Sequence, residues 1–93
     1  MDGSPSDPLP GEYLISRGLE ALSRGQETEE SLLVSIGAAR LRRAGISLHD
    51  PLPSPESRLY ELLRRSGPDS AHSRYNALIR RLVSFERAIE CAK

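Results

Sequence analysis

The chain has 93 residues, which suits one domain, and 22 of them are Leu, Ile, Val or Phe, above the level at which disorder is the default reading. With one Phe, three Tyr and no Trp, the core must be mostly leucine, which favours helix, and β-branched residues are too scarce for an extensive sheet. Thirteen bases balance thirteen acids, yet residues 1–39 carry seven acids and two bases while residues 40–93 carry six acids and eleven bases. Such opposed halves are either self-complementary within one fold or a landing surface for an anionic partner.

The single cysteine, Cys91, excludes an internal disulfide framework and fits a reducing compartment, so a cytoplasmic location is expected. Met1-Asp2-Gly3-Ser4-Pro5 has neither the basic start nor the apolar stretch of a signal peptide. No run approaches the roughly 20 apolar residues of a membrane span, and neither secretion nor membrane insertion is expected.

Residues 1–9 are Pro, Ser and Asp with little that is apolar, the composition of a disordered tail, and residues 10–93 form the predicted domain. Pro10 suits the first turn of a helix over 11–24 whose apolar stripe is Leu14, Ile15, Leu19 and Leu22, with Gly25 as its left-handed stop. Gly18 falls inside that stripe, where glycine costs about 1 kcal/mol relative to alanine and signals close approach of another backbone.

Thr28 caps a second predicted helix over 29–44, with Glu29 and Glu30 in the first turn and Gly45 at its end. Leu32, Leu33, Ile36, Leu41 and Ala44 form its apolar face. Arg40 lies inside that face, so its stem should snorkel and its guanidinium should bond carbonyls or a carboxylate. Pro51 and Pro53 forbid helix through 46–53, where alternating Ile46, Leu48 and Leu52 predict an extended strap across the bundle. Ser54 as N-cap and Pro55 at the first position open a short helix over 55–66 with Leu59, Leu62 and Leu63 inward, closed by Gly67-Pro68.

A long last helix over 70–91 is capped by Asp69 or Ser70. Its apolar residues Ala71, Tyr75, Leu78, Leu82, Phe85, Ile89 and Ala92 alternate steps of four and three in an unbroken heptad-type seam. Ile79 and Val83 widen the seam, which favours the central helix of a globular bundle over a coiled-coil dimer. The predicted architecture is all-α: a single-domain four-helix bundle with a long C-terminal helix.

Two arginine rows mark the last helix. Arg74 and Arg81 are seven apart along one flank, and Arg80 and Arg87 are seven apart opposite the seam. They are candidates for binding an anion or a partner. For nucleic acid the face lacks homeodomain or zinc-finger spacing and aromatic platforms, and the sequence pI of about 6.7 is low for such a protein. A helix-turn-helix in 29–47 fails because a proline-bearing connection, not a second helix, follows Gly45.

His72, Tyr75 and Asn76 form a polar cluster early in the last helix, where His72 and Asn76 can meet four apart on one face. Capping and loop hydrogen bonds account for such a cluster as well as a site does. Cys91 lies on the outer face of the last helix in a final turn where fraying is expected, so it is a poor nucleophile candidate. No HxxH, ExxH or CxxC pair and no glycine-rich phosphate loop occurs, and the adjacent Glu29 and Glu30 point apart. No metal, no cofactor and no enzymatic activity are expected. The function expected is a small protein-interaction module, self-association included, with nucleic-acid binding by the arginine face as the alternative.

Overall fold

A computed structural model describes residues 11–92, with side chains through Cys91. The expected tail over 1–9 and the first-turn proline, Pro10, lie outside the described residues, as does Lys93. Five helices follow in order: α1 (Glu12–Ser23), α2 (Glu29–Ile36), α3 (Ala38–Arg43), α4 (Pro55–Ser66) and α5 (Ala71–Ala92).

The glycine stops act as the sequence predicts. After α1, Gly25 takes φ +72°, its N–H bonds Leu22 O at 3.0 Å and that of Gln26 bonds Ala21 O at 2.9 Å, which satisfies carbonyls the helix leaves open. Gly45 takes φ +101° and repeats this pairing after α3, Gly45 N to Arg42 O and Ile46 N to Leu41 O, both at 3.0 Å. Thr28 and Ser31 form a reciprocal cap at the start of α2, Ser31 N–H to Thr28 Oγ1 at 3.0 Å and Thr28 N–H to Ser31 Oγ at 2.7 Å.

The predicted helix over 29–44 is two helices, and the four-helix count is corrected to five among the described residues. The break falls at Gly37, which closes directly on α5: a Cβ there would lie 2.6 Å from Glu86 Oε2 and 3.0 Å from Leu82 Cδ1. Two residues earlier, Ser35 Oγ donates to Ser31 O at 2.8 Å, a back-bond that bends helices. The same Oγ accepts the Leu52 N–H at 3.0 Å, which pins the strap across α2.

A second correction concerns the centre of the fold. The central helix is α2, in which Ser31, Leu32, Leu33, Val34 and Ser35 are buried in succession, and it packs on α1, α4 and α5. A helix apolar nearly all round belongs in the middle, whereas α5 has one wet side. The seam of α5 is turned inward: Ala71, Leu82 and Phe85 are buried, and Tyr75, Leu78, Ile79 and Ile89 pack against the core. That use leaves it unavailable for a coiled-coil dimer.

Gly18 is where α1 meets α2. A Cβ there would stand 2.4 Å from Glu30 O and 2.8 Å from Val34 Cγ1, so only glycine lets the backbones approach this closely. The strap residues Ile46, Leu48 and Leu52 pack on the core as their alternation suggests. Ser54 differs from expectation: it precedes Pro55 but sits at φ 46°, and its side chain makes no capping bond. Its carbonyl accepts from Arg58 N at 3.1 Å instead. Asp69 and Ser70 precede α5, and Ser70 O accepts the Arg74 N–H at 2.9 Å.

Candidate functional site

Seven residues on α5 span about 10.5 Å, so each arginine row places its two guanidinium stems two turns apart along the helix. The structure separates the four arginines by role. Arg74 is tied inward, donating from Nη1 to Ser66 Oγ at 2.8 Å and from Nη2 to Glu29 Oε2 at 3.3 Å, so it joins the end of α4 and the start of α2 to α5. Arg80, Arg81 and Arg87 are exposed. Among the described residues their side chains enter no hydrogen bond or ion pair, although Arg87 with Arg43 helps hold the Glu90 carboxyl low, behind the larger effect of Arg40. Arg80 and Arg87 lie on the outer face, and Arg81 lies on the flank beside Gly11, whose Cβ would stand 3.0 Å from Arg81 O.

The polar cluster does not form one site. Asn76 Nδ2 and His72 Nε2 meet at 3.2 Å near the surface. Tyr75 turns the other way, its ring edge-on to Tyr60 of α4 with centroids 5.7 Å apart and planes at 78°. Burial, and then the nearby Glu56 carboxylate, push its hydroxyl above the usual tyrosine range. Among the described residues, no group of three or more His, Cys, Asp or Glu could hold a metal ion. Cys91 is free and exposed. No described helix is long and apolar enough to cross a membrane.

The most constrained ionic cluster was only half anticipated. Arg40, expected to snorkel toward a carbonyl or carboxylate, finds two carboxylates on α5. Its Nε and Nη2 donate to Glu90 at 2.7 and 2.9 Å, and Nη1 donates to Glu86 at 3.3 Å. Glu86 is only 4 % exposed, and burial raises its pKa above the ordinary carboxylate value against the pull of Arg40. The hydrogen bond from Arg40 holds Glu90 low. The signal in the sequence was a charge of each sign inside an apolar face, Arg40 among the leucines of one helix and Glu86 beside Leu82 and Ile79 in another.

Other ion pairs settle part of the charge division. Arg58 donates to both Glu27 oxygens, the Nε bond at 3.0 Å, and this bond lowers the Glu27 pKa. With Arg74 and Glu29, this joins the acidic first part of the chain to the basic second part. Arg24 pairs with Glu20, and Arg64 and Arg65 face Glu61. Comparison of the chain with known protein families, with curated proteins and with solved structures returns no match.

Proposed function

We propose that the protein is a non-catalytic interaction module that docks a partner protein bearing acidic side chains on the outer face of α5. The supporting observation is how the arginines are partnered. Arg24, Arg40, Arg58, Arg64, Arg65 and Arg74 each face a carboxylate. Arg80, Arg81 and Arg87 share one exposed stretch of α5 and leave their donors to solvent among the described residues. Guanidinium groups so placed orient carboxylates through charge-assisted bonds and speed encounter. The exposed aromatics are Tyr13 and Tyr60, on α1 and α4 and not on this face, so the platforms of a single-strand nucleic-acid binder are missing from it. A second copy of the chain is one such partner, and a free, exposed Cys91 suits a reducing compartment such as the cytoplasm.

Fluorescence anisotropy with a labelled oligoglutamate peptide, and separately with mixed-sequence DNA and RNA, tests the proposal at low salt. Replacing Arg80, Arg81 and Arg87 together by Glu should weaken peptide binding by at least about tenfold, the effect of about 1.4 kcal/mol. An unsubstituted chain that ignores the peptide refutes the proposal. If nucleic acid binds instead, with affinity falling steeply as salt rises, the nucleic-acid reading replaces it.

A further inference from the structure

A shallow groove runs along the flank of α5 beside the start of α2. It is lined by Arg81, Leu78, Ala77 and Arg74 of α5 and by Glu29 of α2, and its volume is about 230 Å³. That is below the roughly 300–1,000 Å³ of small-molecule sites and suits one or two side chains of a partner. Its middle is apolar, with Ala77 exposed and Leu78 half-buried.

The two ends differ in charge. At one end Arg74 is bound to Ser66 Oγ at 2.8 Å and to Glu29 Oε2 at 3.3 Å, so an arriving carboxylate meets an arginine already paired and a carboxylate of like charge. At the other end the Arg81 guanidinium enters no hydrogen bond or ion pair among the described residues. The groove is therefore cationic at one end, apolar in the middle and charge-balanced at the far end.

We infer that the groove receives a leucine-sized aliphatic side chain of the acidic partner, beside a carboxylate of the same partner held by Arg81. This rests on the docking proposal and adds what the partner must carry and which way round it lies. Along α5, Leu78 is about 4.5 Å and Ala77 about 6 Å from Arg81. An acidic residue and a leucine three or four apart on one helix face, with Cβ atoms about 5–6 Å apart, match that spacing. Glu29 repels an acid at the Arg74 end, so the acidic side chain lies toward Arg81 and the aliphatic one over Ala77 and Leu78. A polyanion without the aliphatic group engages Arg81 and leaves the apolar middle wet.

Anisotropy with the full chain at low salt compares two labelled peptides: oligoglutamate with leucine at every fourth position, and the same peptide with glutamine there, which matches its charge. The leucine peptide should bind at least about fivefold more tightly, a gain that partial burial of one leucine supplies. It should also shift the methyl signals of Ala77 and Leu78, which the glutamine peptide leaves in place. Ala77→Gln, an exposed change to a good helix former, should bring the two affinities within about twofold of each other. Equal binding of both peptides to the unsubstituted chain overturns the inference and leaves the docking proposal standing, whereas binding of neither removes both. Silent methyl signals, or a leucine preference that survives Ala77→Gln, put the aliphatic side chain elsewhere and overturn the inference. It is also overturned if the chain alone dimerises with concentration-dependent shifts at Ala77 and Leu78, because a second copy then fills the groove.

Discussion

Gly18→Ala puts the contact between α1 and α2 under the most direct strain. The added Cβ would lie 2.4 Å from Glu30 O, about 0.6 Å inside the 3.0 Å that real Cβ atoms keep, and 2.8 Å from Val34 Cγ1. The first obstacle is backbone of a buried helix, so relief requires α1 to move away from α2. That would loosen Ile15 and Leu22 against Leu32, Leu33 and Val34, which are 0–5 % exposed. Overpacking costs about 1–3 kcal/mol, and an obstacle of helix backbone, which cannot swing aside as a side-chain tip can, puts this site at about 2–3 kcal/mol. The better helix propensity of alanine returns about 1 kcal/mol. The expected net loss is about 1–2 kcal/mol, a fall in Tm of roughly 5–15 °C for a chain of this size. Urea denaturation followed by circular dichroism measures it, with Ser16→Ala on the exposed side of α1 as a control expected within about 0.5 kcal/mol. A Gly18→Ala protein as stable as the parent would show that the two backbones do not meet as described.

Other substitutions address the strap, the helix entry and the buried carboxylate. Ser35→Ala removes the acceptor of the Leu52 N–H; it should cost about 1–3 kcal/mol and speed hydrogen exchange at Leu52. Unchanged exchange there would mean that the bond does not hold the strap. Gly11→Ala combines φ +77° with the 3.0 Å approach to Arg81 O, and at least about 1 kcal/mol should be lost in thermal melts. Burial holds the folded Glu86 carboxyl above its ordinary value of 4.5, so its contribution to stability is complete below about 4.5 and lost as pH rises through the raised value. The stability of Glu86→Gln relative to the parent should therefore grow from acid toward neutral pH in parallel urea titrations. A difference that shrinks over that range counts against a buried, ionised Glu86. Arg40→Ala at neutral pH leaves that carboxylate without its cation and should cost about 1–3 kcal/mol, most of it recovered by adding Glu86→Gln.

The elements with local signals were legible in the sequence. Gly25 and Gly45 announce helix ends by a backbone conformation that other residues resist, and Thr28 and the inward leucines of α4 likewise act within a turn or two. Gly18 was readable as a close approach because glycine in an apolar stripe has a cost that packing must offset. The break at Gly37 was not readable, since glycine inside a helix is tolerated and the cause lies across the fold, in Glu86 and Leu82. The same holds for the central place of α2, set by which faces find partners, and for Tyr75, which leaves its polar neighbours for Tyr60. The arginine rows were visible as spacing. That Arg74 is bound to Glu29 and Ser66 while Arg80, Arg81 and Arg87 are not depends on where α2 begins and α4 ends.

The claim that α5 works on two sides, its seam holding the bundle and its outer arginines meeting a partner, is tested most directly by amide chemical-shift mapping with an oligoglutamate peptide at low salt. The account predicts shifts concentrated at Arg80, Arg81, Ser84, Arg87 and Cys91, with Leu32, Leu33 and Leu59 in the core unmoved. Shifts centred on another helix, or no shifts at all, would contradict it.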